Sequence, residues 1–384
     1  MNVRQNVFRA VLRGLRRREG AAHPTAQPAR IAIMRLHNIG DVVTATGLVR
    51  ALRARYPDAR LAFVTNPAAA PLIANEPALD TVIAPKLPGL GRGGRGPGHL
   101  LGLVQAGWHL RRAMHHALEG PATAIFCLEH GEALHLLALV PARWKVGFAA
   151  GDGHHAWALT HRVTSWGQSA GKPLLYRYRL YQALLERFTG ETLTPVPTGL
   201  CLPDSAKAVA ADWLRARGVG DRFVVLAPGG TAVTRRWPPE RFHALGRALA
   251  ARGDVDVVVL GGPAEAAMAS EVAAPGTIDG IGALDITATA AVIGRAAAIV
   301  ANDTSLMHMA VALGTPTLAI FGGSPWQRAG YEPEKMTALH ADLSCQPCGL
   351  ETCPYDTVPP CLNAVEAEHA LEGLEPLLGD AKAR

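Results

Sequence analysis

Ile299–Pro316 reads IVANDTSLMHMAVALGTP, and the way this stretch divides into elements decides the fold class. Ala297–Val300 is a short apolar run of the kind that forms a buried parallel strand. Asn302, Asp303, Thr304 and Ser305 follow, and each side chain can accept a free backbone N–H at a turn or helix start. From Leu306 the apolar positions Leu306, Met309, Ala310 and Leu313 recur at helical spacing. Gly314 and Pro316 stop that helix, and Thr317–Phe321 opens the next strand. A strand, a polar turn and a helix N-terminus aimed at one point favour an anion, because unpaired N–H groups and the helix dipole both attract it. The same letters also suit an ordinary strand-to-helix connection, and the surrounding chain decides between the two.

Upstream, the same grammar repeats. Phe223–Ala227 reads as a strand leading into the Gly-rich turn Pro228-Gly229-Gly230-Thr231 and then Arg235-Arg236-Trp237-Pro238. Pro238 or Pro239 opens a helix to about Ala251. Asp256–Leu260 is a strand ending in Gly261-Gly262-Pro263, before a helix over Ala264–Ala273. Thr277–Ile281 and Met336–Leu339 add strands, and a helix over Ala364–Leu378 closes the unit. Three turns, Gly229–Thr231, Gly261–Gly262 and Asp303–Ser305, carry phosphate-friendly residues, with Arg235 and Arg236 beside the first. Singly each is a weak signal; together they predict a nucleotide diphosphate held in this half of the chain.

The first half alternates in the same way. Arg30–Leu36 is a strand, Asn38–Asp41 a tight turn, and Val42–Tyr56 a helix. Strands Leu61–Thr65, Thr81–Ala84, Ala122–Leu128 and Trp144–Phe148 follow, with helices over Leu101–Leu118, Glu132–Leu139 and Leu175–Phe188. Asp41 falls just past a strand's carboxyl end, where ligands bind in open α/β sheets, although an N-cap aspartate would fall there too. Pro88–Gly98 reads as a basic loop, and the Pro-rich Thr192–Asp204 as the domain boundary. Residues 1–28 hold a basic amphipathic helix, with Val3, Val7, Phe8, Val11, Leu12 and Leu15 opposite Arg9, Arg13, Arg16 and Arg17, and then a linker. That pattern suits either an anionic lipid surface or packing on the protein body. The predicted organisation is 1–28, a Rossmann-like domain over 29–198 and a second over 199–384. In fold class this is α/β, two doubly wound domains facing across a cleft.

Composition narrows the function. The 384 residues are 49% hydrophobic, yet no apolar run reaches the ~18 residues of a membrane span. Met1–Arg18 lacks a secretory signal, so a cytoplasmic chain is expected. Residues 1–200 hold 24 Lys and Arg against 11 Asp and Glu, whereas 201–384 hold 14 against 21. The basic first half therefore suits an anionic partner. No nucleic-acid motif accompanies the charge, which argues against nucleic acid. Of six cysteines, Cys345, Cys348, Cys353 and Cys361 form a C-x2-C-x4-C-x7-C run. That spacing predicts one structural zinc or iron, with disulfides or free thiols as the alternatives.

Arg35–Leu52, Pro228–Phe242, Leu260–Glu265 and Asn302–Pro316 together resemble the bacterial glycosyltransferase family 9, best known for ADP-heptose:lipopolysaccharide heptosyltransferases. The resemblance runs from about Arg30 to Leu378. It implies a GT-B fold and an inverting transfer from a nucleotide sugar that needs no cofactor or metal for catalysis. By resemblance Asp41 is the general base and Arg235 the basic residue on the donor diphosphate, where the family usually has Lys. The DTGPMH-type segment becomes Asp303–His308, with Ser305 and Leu306 in place of Gly and Pro. The donor site implied is Gly229, Gly230, Thr231, Gly261, Gly262, Asp303, Thr304, Ser305 and His308. The implied partners are a nucleotide-sugar donor, an anionic lipid-linked glycan acceptor and the inner-membrane surface, where the enzyme would be peripheral. A nucleotide-sugar epimerase or hydrolase, or a noncatalytic nucleotide-sugar-binding module, would use the same donor turns.

Overall fold

The computed structural model describes residues 23–24, 26–87, 97–129, 131–149, 156–163, 176–331 and 334–379. The amphipathic helix expected near the start and most of the Pro88–Gly98 loop lie outside them. The chain divides at Pro197 and Thr198 into two compact units, with 174–177 counted in the second.

The first unit is a six-stranded sheet of β1 (Arg30–Met34), β2 (Arg60–Val64), β3 (Thr81–Ile83), β4 (Ala124–Cys127), β5 (Trp144–Phe148) and β6 (His161–Val163). Its order is β3-β2-β1-β4-β5-β6, and the pairs are parallel. A parallel sheet is covered on both faces, so its strands must be apolar throughout; in β1, Ile31 to Met34 are fully buried. Alternate side chains then enter different layers. Ile125 and Cys127 of β4 join the cluster formed by Leu103, Ala106, Leu110 and Met114 of the Pro97–Ala117 helix. Phe126 turns the other way and meets Phe188 edge-on at 5.3 Å.

The second unit repeats the plan with β7 (Phe223–Ala227), β8 (Asp256–Val259), β9 (Thr277–Asp279), β10 (Ala298–Asn302), β11 (Thr317–Phe321) and β12 (Thr337–His340), ordered β12-β11-β10-β7-β8-β9. Val224, Leu226, Val257, Val300 and Ile320 pack with Phe242, Leu245 and Leu249 of the Pro239–Arg252 helix and Leu374 of the Ala367–Leu378 helix. Gly253 ends the first of these helices in a left-handed cap, φ 69°.

Several elements differ from the sequence expectation. The helix expected over Val42–Tyr56 is two, Ile39–Thr44 and Thr46–Arg55, broken at Ala45. Gly47, just after the break, leaves no room for a side chain, since a Cβ there would lie 2.5 Å from the Val196 carbonyl oxygen. Glu132–Leu139 is a 3₁₀ segment, Gly131–Ala138. Ala264–Ala273 is a 3₁₀ turn, Pro263–Met268, running into the short helix Ala269–Val272. Strand β6 and the helices Asp204–Ala216 and Ile286–Ile293 add to the expected set. No helix among the described residues is long and apolar enough to cross a membrane.

Candidate active site

In each unit the strand order reverses once, between β1 and β4 and between β7 and β10. A doubly wound sheet opens a crevice at the carboxyl ends of those two strands, because the connections leave in opposite directions there. Asp41 lies on the connection that leaves β1, Gly229–Thr231 and Arg235 on the one that leaves β7, and Asp303–His308 on the one that leaves β10. Gly261 and Gly262 instead follow the neighbouring β8, and the four cysteines lie beyond β12.

In the first unit the chain leaves β1 through Arg35, Leu36 and His37 to Asn38, which takes φ 58°. Asn tolerates this left-handed geometry better than most residues. The turn also makes Asn38 the cap of the Ile39–Thr44 helix and puts Asp41 inside the first turn. Asp41 is therefore not the cap. It is 1% exposed, and its Oδ2 accepts from Arg35 Nη2 and, at 3.2 Å, from Asn38 Nδ2.

Buried Arg35 also donates through Nη1 to the Leu128 carbonyl at 2.6 Å, with Glu129 Oε2 at 3.4 Å. Glu129, just past β4, accepts the backbone N–H groups of Leu36 and His37 on Oε1, and its Oε2 lies 3.0 Å from His37 Nδ1. Burial pushes the Glu129 carboxyl up, but the His37 hydrogen bond, the Arg35 charge and the backbone donors outweigh it, so its pKa lies below the ordinary carboxylate range. Sequence reasoning missed Glu129. It sits 93 residues from the backbone it holds, and only the parallel pairing of β1 with β4 brings the two together.

The depressed pKa fixes a sign. Stability contributed by ionised Glu129 is fully present above the ordinary carboxylate range and is lost as pH falls through its lower, folded-state value. Glu129→Gln should flatten the acid limb of unfolding, measured by urea titration from pH 7 to pH 3. An unaltered acid limb would remove Glu129 from the pH response.

In the second unit three turns meet. Asn302, fully buried at the end of β10, donates from Nδ2 to the carbonyls of Pro228 (2.8 Å) and Gly229 (3.1 Å), and its Oδ1 accepts the Trp237 N–H at 3.1 Å. One amide thus fastens the Gly-rich turn to the segment that carries Arg235. Arg236 Nε donates to the Gly230 carbonyl at 2.6 Å, and Arg235 Nη1 lies 3.6 Å from Asp303 Oδ2. Thr231 is exposed beside them.

Thr304 is the cap residue of the Ser305–Leu313 helix, whose first N–H groups have no acceptor within the helix. Gly261–Gly262 enters through Glu265, whose Oε2 accepts the Gly262 N–H at 2.8 Å and whose Oε1 lies 3.0 Å from where a Gly229 Cβ would be. That turn therefore presents a carboxylate, and its Gly262 N–H is already engaged by it. His308 is 5% exposed, with Nδ1 3.0 Å from the Tyr331 hydroxyl. Burial lowers its pKa to about 4 against the opposing pull of Asp303, so the ring is neutral near pH 7.

The cysteine segment buttresses this site. Thr234, 1% exposed and next to Arg235, donates from Oγ1 to the Leu350 carbonyl and accepts the Gly323 N–H at 2.8 Å. Gly323 in turn accepts from Gly349 N–H at 2.7 Å. Gly322 must lack a side chain, since a Cβ would lie 2.3 Å from the Thr234 carbonyl oxygen. Cys345, Cys348, Cys353 and Cys361 all line one cavity of about 230 Å³, and all four are free thiols. Burial raises the Cys361 pKa, and the neighbouring Cys345 and Cys348 raise it further. Charged thiolates here repel one another, so the donor set suits a cation. No three of these side chains stand as a ready metal-binding group among the described residues.

Known proteins are similar to this chain in sequence and in fold. Lipopolysaccharide heptosyltransferase 1 of Pseudomonas aeruginosa is 33% identical over 138 residues, covering 35% of this chain and 39% of that protein. The match thus spans well under two thirds of the relative's length. A glycosyl transferase family 9 structure from Veillonella parvula superposes with a TM-score of 0.74 at 19% identity, covering 91% of this chain and 97% of the other. Escherichia coli ADP-heptose LPS heptosyltransferase II gives 0.68 at 18% identity, covering 91% and 98%. At these identities the two structures speak for the fold, the GT-B type of α/β fold that the resemblance implied. The profile of glycosyltransferase family 9 (heptosyltransferase) matches residues 134–358, more than half of the sequence. The chain belongs to glycosyltransferase family 9.

Proposed function

We propose that this protein is an inverting glycosyltransferase that moves a sugar, heptose from ADP-heptose, to an anionic lipopolysaccharide-core or related glycan acceptor at the cytoplasmic face of the inner membrane. The observation that carries the reading is the pair of switch-point sites: a buried carboxylate, Asp41, at the first, and Arg235 with a helix N-terminus at the second. The acceptor hydroxyl loses its proton to Asp41 Oδ1 or Oδ2 as its oxygen bonds to the anomeric carbon. The bond from that carbon to the diphosphate breaks through an oxocarbenium-like state, and its electron pair leaves with the phosphate oxygen. Arg235, Thr231 and the N–H groups at Thr304–Leu306 stabilise the charge on that leaving group. Gly229 and Gly230 let the backbone approach the phosphates. Glu265, beside Gly261 and Gly262, suits the ribose hydroxyls, since a carboxylate accepts from hydroxyls and repels phosphate. Neutral His308 backs Asp303 without adding positive charge.

Mass spectrometry of the product formed from a panel of ADP-, UDP-, GDP- and dTDP-sugars tests the reading. Transfer should occur only with a glycan acceptor present and be fastest with ADP-heptose. Donor consumption without acceptor would identify an epimerase or hydrolase, and binding without consumption a noncatalytic module.

The cysteines hold one structural zinc or iron ion in this reading, with no part in the transfer step. A thiolate-bound ion would supply cross-linking in a segment too short to bury its own core. Protein purified without chelator should contain about one zinc or iron per chain, lost in Cys345→Ser/Cys348→Ser. Metal-free protein with four reactive thiols and an unchanged Tm would end this assignment.

A further inference from the structure

Between Asp80 and Glu119 the sequence contains no Asp or Glu, yet it carries Lys86, Arg92, Arg95, Arg111 and Arg112. Much of this acid-free run is the Pro97–Ala117 helix. Its inner stripe, Leu103, Ala106, Leu110 and Met114, is buried against β1, β2 and β4. At 100° per residue, Leu101, Val104 and Trp108 fall on the opposite side, and Arg111, Arg112 and His115 continue that stripe toward the C-terminal end. Leu101 is 65% and Trp108 64% exposed, and Val104 39%, whereas soluble surfaces rarely place large apolar side chains in a row. The nearest carboxylate after the helix, Glu119, is engaged by Arg60 at 3.0 Å and does not offset the charge.

We infer that the outer stripe of the Pro97–Ala117 helix docks on an anionic lipid surface. Leu101, Val104 and Trp108 enter the headgroup boundary, and Arg111 and Arg112 meet lipid phosphates. Trp is the residue type that settles at such a boundary, its ring apolar and its N–H wet. Clustered arginines add an attraction that salt screens. A second copy of the chain is the poorer occupant. Three apolar side chains fall short of the ~800 Å² per partner of a stable interface, and self-association would also set cationic residues against their like. The docking gives the proposed transfer access to a lipid-linked acceptor and rests on that reading. Vesicle binding needs neither donor nor acceptor, however, so either idea can fail alone.

The test is flotation of the full chain with vesicles of phosphatidylglycerol and phosphatidylcholine, against phosphatidylcholine alone. Leu101→Ser/Val104→Ser/Trp108→Ser, checked for folding by circular dichroism, should bind the anionic vesicles at least ~10-fold more weakly. Arg111→Gln/Arg112→Gln should weaken binding and flatten its salt dependence. Brominated lipid should quench the wild-type tryptophan emission, and Trp108→Phe should abolish that quenching. Undiminished binding by the triple variant, or quenching unchanged in Trp108→Phe, would overturn the inference. So would a triple variant that changes only its gel-filtration volume, which would assign the stripe to a second copy.

Discussion

Asp41→Asn is expected to lower the rate of sugar transfer by about 10²–10⁴-fold while the protein still folds. The amide keeps the size of the side chain and can still accept from Asn38 Nδ2 and Arg35 Nη2, but it cannot take the acceptor's proton. The change is not neutral for stability. Asp41 and Arg35 form a buried ion pair, and removing one partner of such a pair leaves the other charge undercompensated. Arg35 retains the Leu128 carbonyl and Glu129, so the loss should be about 1–3 kcal/mol rather than the larger cost of an isolated buried charge. Single-turnover transfer and urea unfolding separate the two effects. Near wild-type turnover in a folded Asp41→Asn protein would remove Asp41 from the chemistry.

Arg235→Ala should weaken nucleotide binding by about 1.5–3 kcal/mol, or roughly 10–150-fold, the scale of a charge-assisted hydrogen bond. Two losses combine. The diphosphate loses its cation, and Asp303, 3.6 Å from Arg235 and itself buried, is left with its charge facing the site. Arg235→Ala/Asp303→Asn should therefore recover part of the affinity, which a purely steric role for Arg235 does not predict. Arg235→Lys keeps the charge but loses the planar fork and should fall between. Calorimetry with ADP measures all three, and equal affinity in wild type and Arg235→Ala would place the diphosphate elsewhere.

What the sequence made legible follows from local physics. Runs such as Ile31–Met34, Phe223–Ala227 and Ala298–Val300 announce buried parallel strands because both faces must be apolar. Strand β6, His-Arg-Val, carries no such run and is defined by pairing with β5. Gly131–Ala138 has helical apolar spacing, which does not separate a 3₁₀ from an α-helix. The Asp204–Ala216 helix was legible in Ala206, Ala210, Trp213 and Leu214, but the Pro-rich stretch before it invites reading on as a loop. Asp41, Arg235 and Asp303 are read from the turns that follow strands and from the family resemblance, and they lie on the connections that leave β1, β7 and β10. Glu129 and Asn302 act across 93 and 65 residues of separation, and no local pattern encodes such a contact.

The ties between the Arg235 segment and the chain's far end have a consequence for synthesis. Thr234 reaches Leu350 across 116 residues, Trp237 Nε1 donates to the Val365 carbonyl across 128, and Arg241 pairs with Glu366 across 125. A nascent chain that has emerged only to β12 already contains every residue proposed to touch the donor, and the Asn302 and Gly323 bonds to the Arg235 segment, but it lacks the ties to Leu350, Val365 and Glu366. Ribosome-bound or clipped forms that lack residues 350–366 should therefore bind nucleotide more weakly than the full chain, because the donor residues are present before the segment that presents Arg235 is fully held.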